Sequence, residues 1–159
     1  MPKIITLLVA ILLTSLTLAQ EKAEEKAIKK VIETFFDGLH KGDSTLISKT
    51  IHKEVKIQTT STNKEGLKLL KTDTRQQLLN MIANKKPDAT YFEKLLSYKI
   101  NIDGNLASVW TPYEFYYNNT FSHCGANSFQ LFNNNGHWQI IYLVDMRRRQ
   151  NCKALKDKK

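Results

Sequence analysis

From Glu21 to Lys41 the apolar residues fall at Ala27, Ile28, Val31, Ile32, Phe35, Phe36 and Leu39. Steps of three and four put them on one face of a helix, and the rest of that stretch is polar enough to face water. Gly42 suits the position just past a helix end, and Asp43 or Ser44 can cap a short second helix running through Ile47 to Ile51. Glu54 to Thr60 alternates Val55 and Ile57 with polar neighbours, the period of a strand with one buried face. A third helix is predicted from Thr72 or Asp73 through Leu78, Leu79 and Ile82, ending before Pro87.

After Tyr91 the pattern is sheet. Four strands are predicted, Phe92 to Ile102, Leu106 to Tyr117, Phe121 to Phe132 and His137 to Arg147. The turns are Asp103-Gly104-Asn105, Asn118-Asn119-Thr120 and Asn133 to Gly136, built from residues that tolerate the left-handed backbone of tight hairpins. Helices followed by a long meander give an α+β domain, a curved antiparallel sheet wrapped over N-terminal helices. No repeat or internal linker interrupts it.

Register decides which side chains share a face. With Phe132 paired to His137 and Tyr117 to Thr120, Trp110 falls opposite Asn127, and Glu114 opposite His123. The helix-facing side then carries Leu106, Ser108, Trp110, Phe129, Leu131, Trp138, Ile140 and Tyr142, with Glu114, His123 and Asn127 as polar intruders toward one end. An apolar cup with a few convergent polar groups is the usual form of a small-molecule site. Glu114 beside His123 could serve as an acid/base pair or simply as a cross-strand ion pair, and Asn127 as a ligand contact or a buried amide tying down backbone. A slip of one residue would turn any of these strands over.

The opposite face shows Val109, Thr111, Tyr113, Phe115, Tyr117, Ser128, Gln130, Ile141 and Leu143, too apolar for plain exposure. A sheet-to-sheet homodimer is the simplest arrangement that covers it. Cys124 falls on this outer face, beside Asp145.

The chain has 159 residues, 42% hydrophobic and 25% charged, ordinary usage for one globular domain. Met1 to Ala19 carries one cation, Lys3, then an apolar stretch and a small-residue exit, the layout of a secretory leader. The interruptions at Thr14, Ser15 and Thr17 make it too short for a membrane span, and no other stretch approaches that length. The expected organisation is a signal peptide over 1–19, a domain over 20–152 and a basic tail over 153–159, in a protein exported to the periplasm or beyond. In an oxidising compartment the two cysteines, Cys124 and Cys152, favour a bridge, free thiols being the alternative. His40, His52, His123 and His137 lie far apart and no Cys-x-x-Cys pair exists, so no metal centre is predicted, and no motif calls for a cofactor. The formal charge of +9 invites a nucleic-acid reading, but much of it sits in the C-terminal tail, and no groove motif or aromatic platform accompanies it.

Three features occur together in order: the leading amphipathic helix, the Gly42-Asp43 break, and a terminal hairpin reading Phe121-Ser122-His123-Cys124-Gly125-Ala126-Asn127-Ser128-Phe129, then Trp138 to Asp145, then Arg147-Arg148. In these the chain resembles the nuclear transport factor 2-like superfamily, and within it the lumazine-binding branch of exported bacterial proteins. The resemblance implies a cone-shaped, cystatin-like fold enclosing a cavity, and makes dimers common. Superfamily members include isomerases, cyclases, dehydratases and proteins without known catalysis. Where relatives read Asp-Thr-Arg-Arg this chain has Asp145-Met146-Arg147-Arg148. The leading expectation is a pocket that binds a small, partly aromatic molecule among Trp110, Phe129, Trp138 and Tyr142, oriented by Glu114, His123 and Asn127. The alternative is an isomerase-, cyclase- or dehydratase-type enzyme in which Glu114 and His123 move a proton. A third reading is a structural dimer whose interior is filled by its own side chains.

Overall fold

The computed structural model describes the backbone of residues 2–152 and the side chains of residues 19–152. The side chains that define the expected leader, and the basic tail at 153–159, lie outside the described residues. The elements are α1 (Pro2–Lys41), α2 (Ser44–Thr50), β1 (Ile51–Thr62), β2 (Lys68–Asp73), α3 (Arg75–Ala83), β3 (Tyr91–Leu95), β4 (Lys99–Asp103), β5 (Leu106–Tyr117), β6 (Thr120–Asn134) and β7 (His137–Arg148). Among the described residues no helix is long and apolar enough to cross a membrane.

The helices form where the spacing predicts. α1 buries Ile28, Ile32, Phe35 and Phe36, each burial contributing roughly 1.5–3 kcal/mol. Gly42, at φ 73°, turns the chain out of α1, and the Asp43 side chain accepts from the Leu46 N–H to cap α2. α3 starts slightly later than the sequence suggests, because Thr74 and Gln77 form a reciprocal capping box.

One curved sheet runs β2-β1-β7-β6-β5-β3, with β4 also paired to β5. It is mixed rather than wholly antiparallel: β1 arrives from the helices and pairs parallel to β7. β2 was not anticipated, since Lys68-Leu69-Leu70-Lys71 lacks the alternation of a half-buried strand; it is an edge strand, and Leu69 and Leu70 are exposed. The single strand expected over Phe92 to Ile102 is two, β3 and β4. Leu96 N–H donates to Pro112 O at 2.9 Å, but proline has no N–H with which to return the bond, and the ladder breaks there.

The hairpin turns carry the left-handed residues the sequence predicts, Asn118 and Asn119 in one and Asn135 and Gly136 in the other. The second turn is tighter than expected, joining Asn134 to His137 rather than Phe132 to His137. Two bulges then reset the registers. Tyr116 pairs with Phe121 but Phe115 with His123, so Ser122 is the extra residue on β6; Leu131 pairs with Ile140 but Gln130 with Tyr142, so Ile141 is the extra residue on β7. Each bulge turns over every side chain on one side of it relative to the sequence-based register.

The helix-facing side of the sheet contributes Ala107, Val109, Phe129, Leu131, Trp138 and Ile140 to one core with α1, α2 and α3. Phe129 meets both Phe35 and Phe36 edge-on at 6.1 Å.

Candidate functional site

The bulges redistribute the expected lining. Phe129 and Trp138 do face the helices, but as core packed against α1 rather than as walls of an open cup. Trp110 pairs with Ser128 on the outer face, 51% exposed, while Trp138 is 6% exposed on the inner face, so the two tryptophans lie on opposite sides of the sheet. Tyr142 also points outward beyond the β7 bulge, where its hydroxyl donates to Gln58. The expected cup around these rings is therefore not formed. Glu114 pairs with Cys124 on the outer face, where it is buried and accepts a hydrogen bond from Tyr116 OH at 2.9 Å. His123 lies opposite Phe115 on the inner face, so Glu114 and His123 do not converge.

The same bulges bring Thr111, Tyr113, Phe115 and Tyr117 inside, residues the sequence-based register places on the outer face. They share the concave side with Asn127, Asp145 and Arg147, and β3 adds Glu93 opposite Phe115. A polar cluster results. Asn127 Nδ2 donates to Glu93 Oε1 at 2.7 Å. Asp145, itself buried, accepts from Thr59 Oγ1 at 2.6 Å, Tyr113 OH at 3.2 Å and Arg147 Nε at 2.6 Å.

Gly125 makes the Tyr113 contact sterically feasible. It sits opposite Tyr113, and a Cβ there would lie 1.8 Å from Met146 O and 2.9 Å from the tyrosine ring. With no side chain in the way, the ring crosses β6 and its hydroxyl reaches Asp145 on β7.

The electrostatics follow from burial. Glu93 is pushed up to about 8, chiefly by desolvation and further by the Asp145 charge, against the opposing Asn127 hydrogen bond. At neutral pH it is mostly a carboxylic acid with a proton to donate. His123 is pushed down to about 4 by burial and by the Arg147 charge, so its imidazole is neutral. Burial, then the Asp145 charge, drives the Tyr113 hydroxyl up, and it stays a donor.

Burial falls along this face, from Thr111, Tyr113 and Asn127 through the half-buried Phe115 and His123 to the exposed Tyr117 and Arg147. The cluster thus has a buried end and an exposed end. Aromatic rings line the way: His123 stacks on Phe115 at 4.8 Å, and Tyr91 contacts Phe115 at 6.1 Å and Tyr117 at 5.9 Å.

Of the expected site residues, His123 and Asn127 lie in this cluster; Glu93, Tyr113, Asp145 and Arg147 were missed. Strand alternation from Tyr91 through Glu93 to Leu95 was the available signal for Glu93, a carboxyl on an inward-facing row. Two shallow depressions lie elsewhere, one of about 340 Å³ beside Lys49 and Trp138 and one of about 370 Å³ beside Lys26 and Tyr98. Among the described residues no group of three or more His, Cys, Asp or Glu side chains is arranged to hold a metal ion.

Helices inside a curved, unclosed sheet with a polar inner end define a nuclear transport factor 2-like domain of cystatin-like fold. Solved structures agree. An NTF2-like protein with a cystatin-like fold from Novosphingobium aromaticivorans superposes with a TM-score of 0.66 at 14% identity, covering 92% of this chain and 96% of that one. An NTF2-like protein from Cytophaga hutchinsonii gives 0.64 at 12% identity over 78% of this chain and 98% of that one. A "putative dehydratase" of the NTF2-like family from Streptomyces avermitilis gives 0.58 at 9% identity over 80% and 98%. Within this class the chain belongs to the family described as "Putative lumazine-binding", which it matches over residues 23–144. No curated protein matches it significantly.

Proposed function

We propose that the protein is an exported domain that binds a small neutral molecule on the concave face, entering between Tyr117 and Arg147 and meeting Glu93, Asn127 and Tyr113. The observation that carries this reading is the gradient of burial ending at Asn127, whose side-chain amide donates to Glu93 on the same face. A cluster serving the fold alone has no need of a carboxyl that is costly to ionise beside a row of aromatic rings whose burial falls toward solvent. The family description supports a planar heterocycle as ligand, a shape the rings of Phe115 and Tyr91 can pack against. Export is supported by the Cys124–Cys152 disulfide, a linkage at home in an oxidising compartment. The outer face, where Trp110 and Leu106 are exposed, is the surface we assign to self-association.

Calorimetric titration of the full chain with lumazine and related heterocycles, with mass spectrometry of any co-purified molecule, tests the proposal. Binding that is lost in Asn127→Ala supports it. Binding unaffected by Asn127→Ala, or no binding across the panel and no co-purified molecule, overturns it.

Proton-transfer catalysis is the second reading, favoured by one feature: Glu93, its pKa pushed up to about 8, lies close enough to Asp145 to feel its charge. In this reading Glu93 replaces the expected pair of Glu114 and His123. Turnover lost in Glu93→Gln with ligand binding retained would select it over binding alone.

A further inference from the structure

We propose that His40 is the positioning residue for Glu93, and that its protonation releases β3 and opens the concave site on acidification. The inference rests on the concave-face reading and adds its regulation. β3 is the edge strand that carries Glu93, and its pairing to β5 covers only Tyr91–Leu95. On its free side the Glu93 N–H donates to His40 Nε2 at 2.9 Å, so the last turn of α1 holds the strand at the very residue whose side chain enters the site. The ring is held between Phe36, 6.3 Å away on α1, and Phe92, 5.1 Å away on β3.

Only a neutral imidazole can accept that bond, and its proton must then sit on Nδ1. Protonation places a second hydrogen on Nε2, facing the Glu93 N–H; the acceptor is gone and the two donors repel. The half-buried amide loses its partner, and β3 is left with its short ladder to β5.

The groups facing His40 are few. Burial lowers its pKa, the Asp37 charge on α1 raises it, and Lys41, next along α1, lowers it. From β3 it meets the Glu93 backbone, whose N–H it accepts, and the Phe92 ring. Because burial holds the folded-state value below the ordinary 6.5, the latch stays formed above 6.5 and weakens as pH falls through the lowered folded-state value. Glu93 ionises at the other end, around 8, so the site is both latched and charge-neutral only between these limits.

The test is amide hydrogen exchange of the full chain followed by NMR without ligand, which separates this inference from the binding proposal. In the wild type the protection factor of the Glu93 amide, corrected for intrinsic exchange, should fall at least fivefold from about pH 7 to about pH 5, while amides of the β5–β6 ladder hold. His40→Gln keeps an acceptor that does not titrate, and should hold protection flat across the same range; His40→Ala should be low throughout. Equal protection at both pH values, or the same fall in His40→Gln, overturns the proposal. If the variants do not fold, ¹⁵N shifts of the wild-type ring decide it: a proton on Nδ1 at neutral pH is the expected result, and one on Nε2 contradicts it. Retained exchange behaviour with no ligand bound would leave His40's role standing and remove only the binding reading.

Discussion

Glu93→Gln should become progressively more stable than the wild type as pH rises. The side chains are nearly isosteric, and glutamine's carbonyl can still accept from Asn127 Nδ2, now at 2.7 Å from the carboxyl. What changes is titration. Glu93 carries a folded-state pKa of about 8 against an ordinary 4.5, so the fold holds the proton more tightly than the unfolded chain. That preference stabilises the protein fully below 4.5 and is lost as pH climbs to about 8. Each unit of pH in that window is worth about 1.4 kcal/mol, so between about pH 5 and pH 8 the gap between variant and wild type should widen by about 3 kcal/mol. His40 and His123 titrate in both proteins and cancel in the difference. Urea denaturation of both at the two pH values, at constant ionic strength, measures it. A gap that stays constant to within about 0.5 kcal/mol would mean that Glu93 ionises normally, and the argument from its burial would be wrong.

Gly125→Ala drives a methyl into the Met146 carbonyl and the Tyr113 ring, and should cost about 3 kcal/mol or more in thermal or urea unfolding; a near-neutral effect would contradict the packing described at this crossing. Replacing Cys124 and Cys152 together by alanine opens a loop of 28 residues and should cost about 3–4 kcal/mol, read as a lower urea midpoint, with an unchanged midpoint refuting the bridge's stabilising role. Trp110→Glu puts a charge on the exposed outer face, where Trp110 is 51% accessible, and should shift sedimentation from dimer to monomer without changing the circular dichroism; a wild type that sediments as a monomer would end the assignment of that face.

The helices were legible because their signals are local. The repeat of threes and fours in α1 and the Asp43 cap depend only on neighbours along the chain, and each appears where it was read. The long strands of the last hairpins were legible as segments for the same reason, with β5 bounded by Leu106 and Tyr117 as the turns implied, whereas the edge strand β2 and the break between β3 and β4 were not. The faces were not. A bulge at Ser122 and another at Ile141 are single unpaired residues with no marker such as glycine in the local sequence. One residue of slip moved Trp110 and Tyr142 outward and Tyr113 inward, and separated Glu114 from His123. Asn127 and His123 kept their face because β6 was read in phase with the core through Phe129. Glu93 was hidden for another reason: its partners, His40 and Asn127, are distant in sequence, and only the folding of β3 against both α1 and β5 joins them. The family resemblance, carried by order and spacing, survived these errors because it does not depend on which way a side chain points.

Backbone and side-chain NMR shift mapping, with unlabelled lumazine titrated into the isotope-labelled full chain at about pH 7, tests the concave-face site most directly. The account predicts saturating shifts concentrated at Glu93, Tyr113, Asn127 and His123, fading toward Tyr117. Shifts centred instead on Trp110 and Tyr142 of the outer face, or on the depression beside Lys26 and Tyr98, would contradict it.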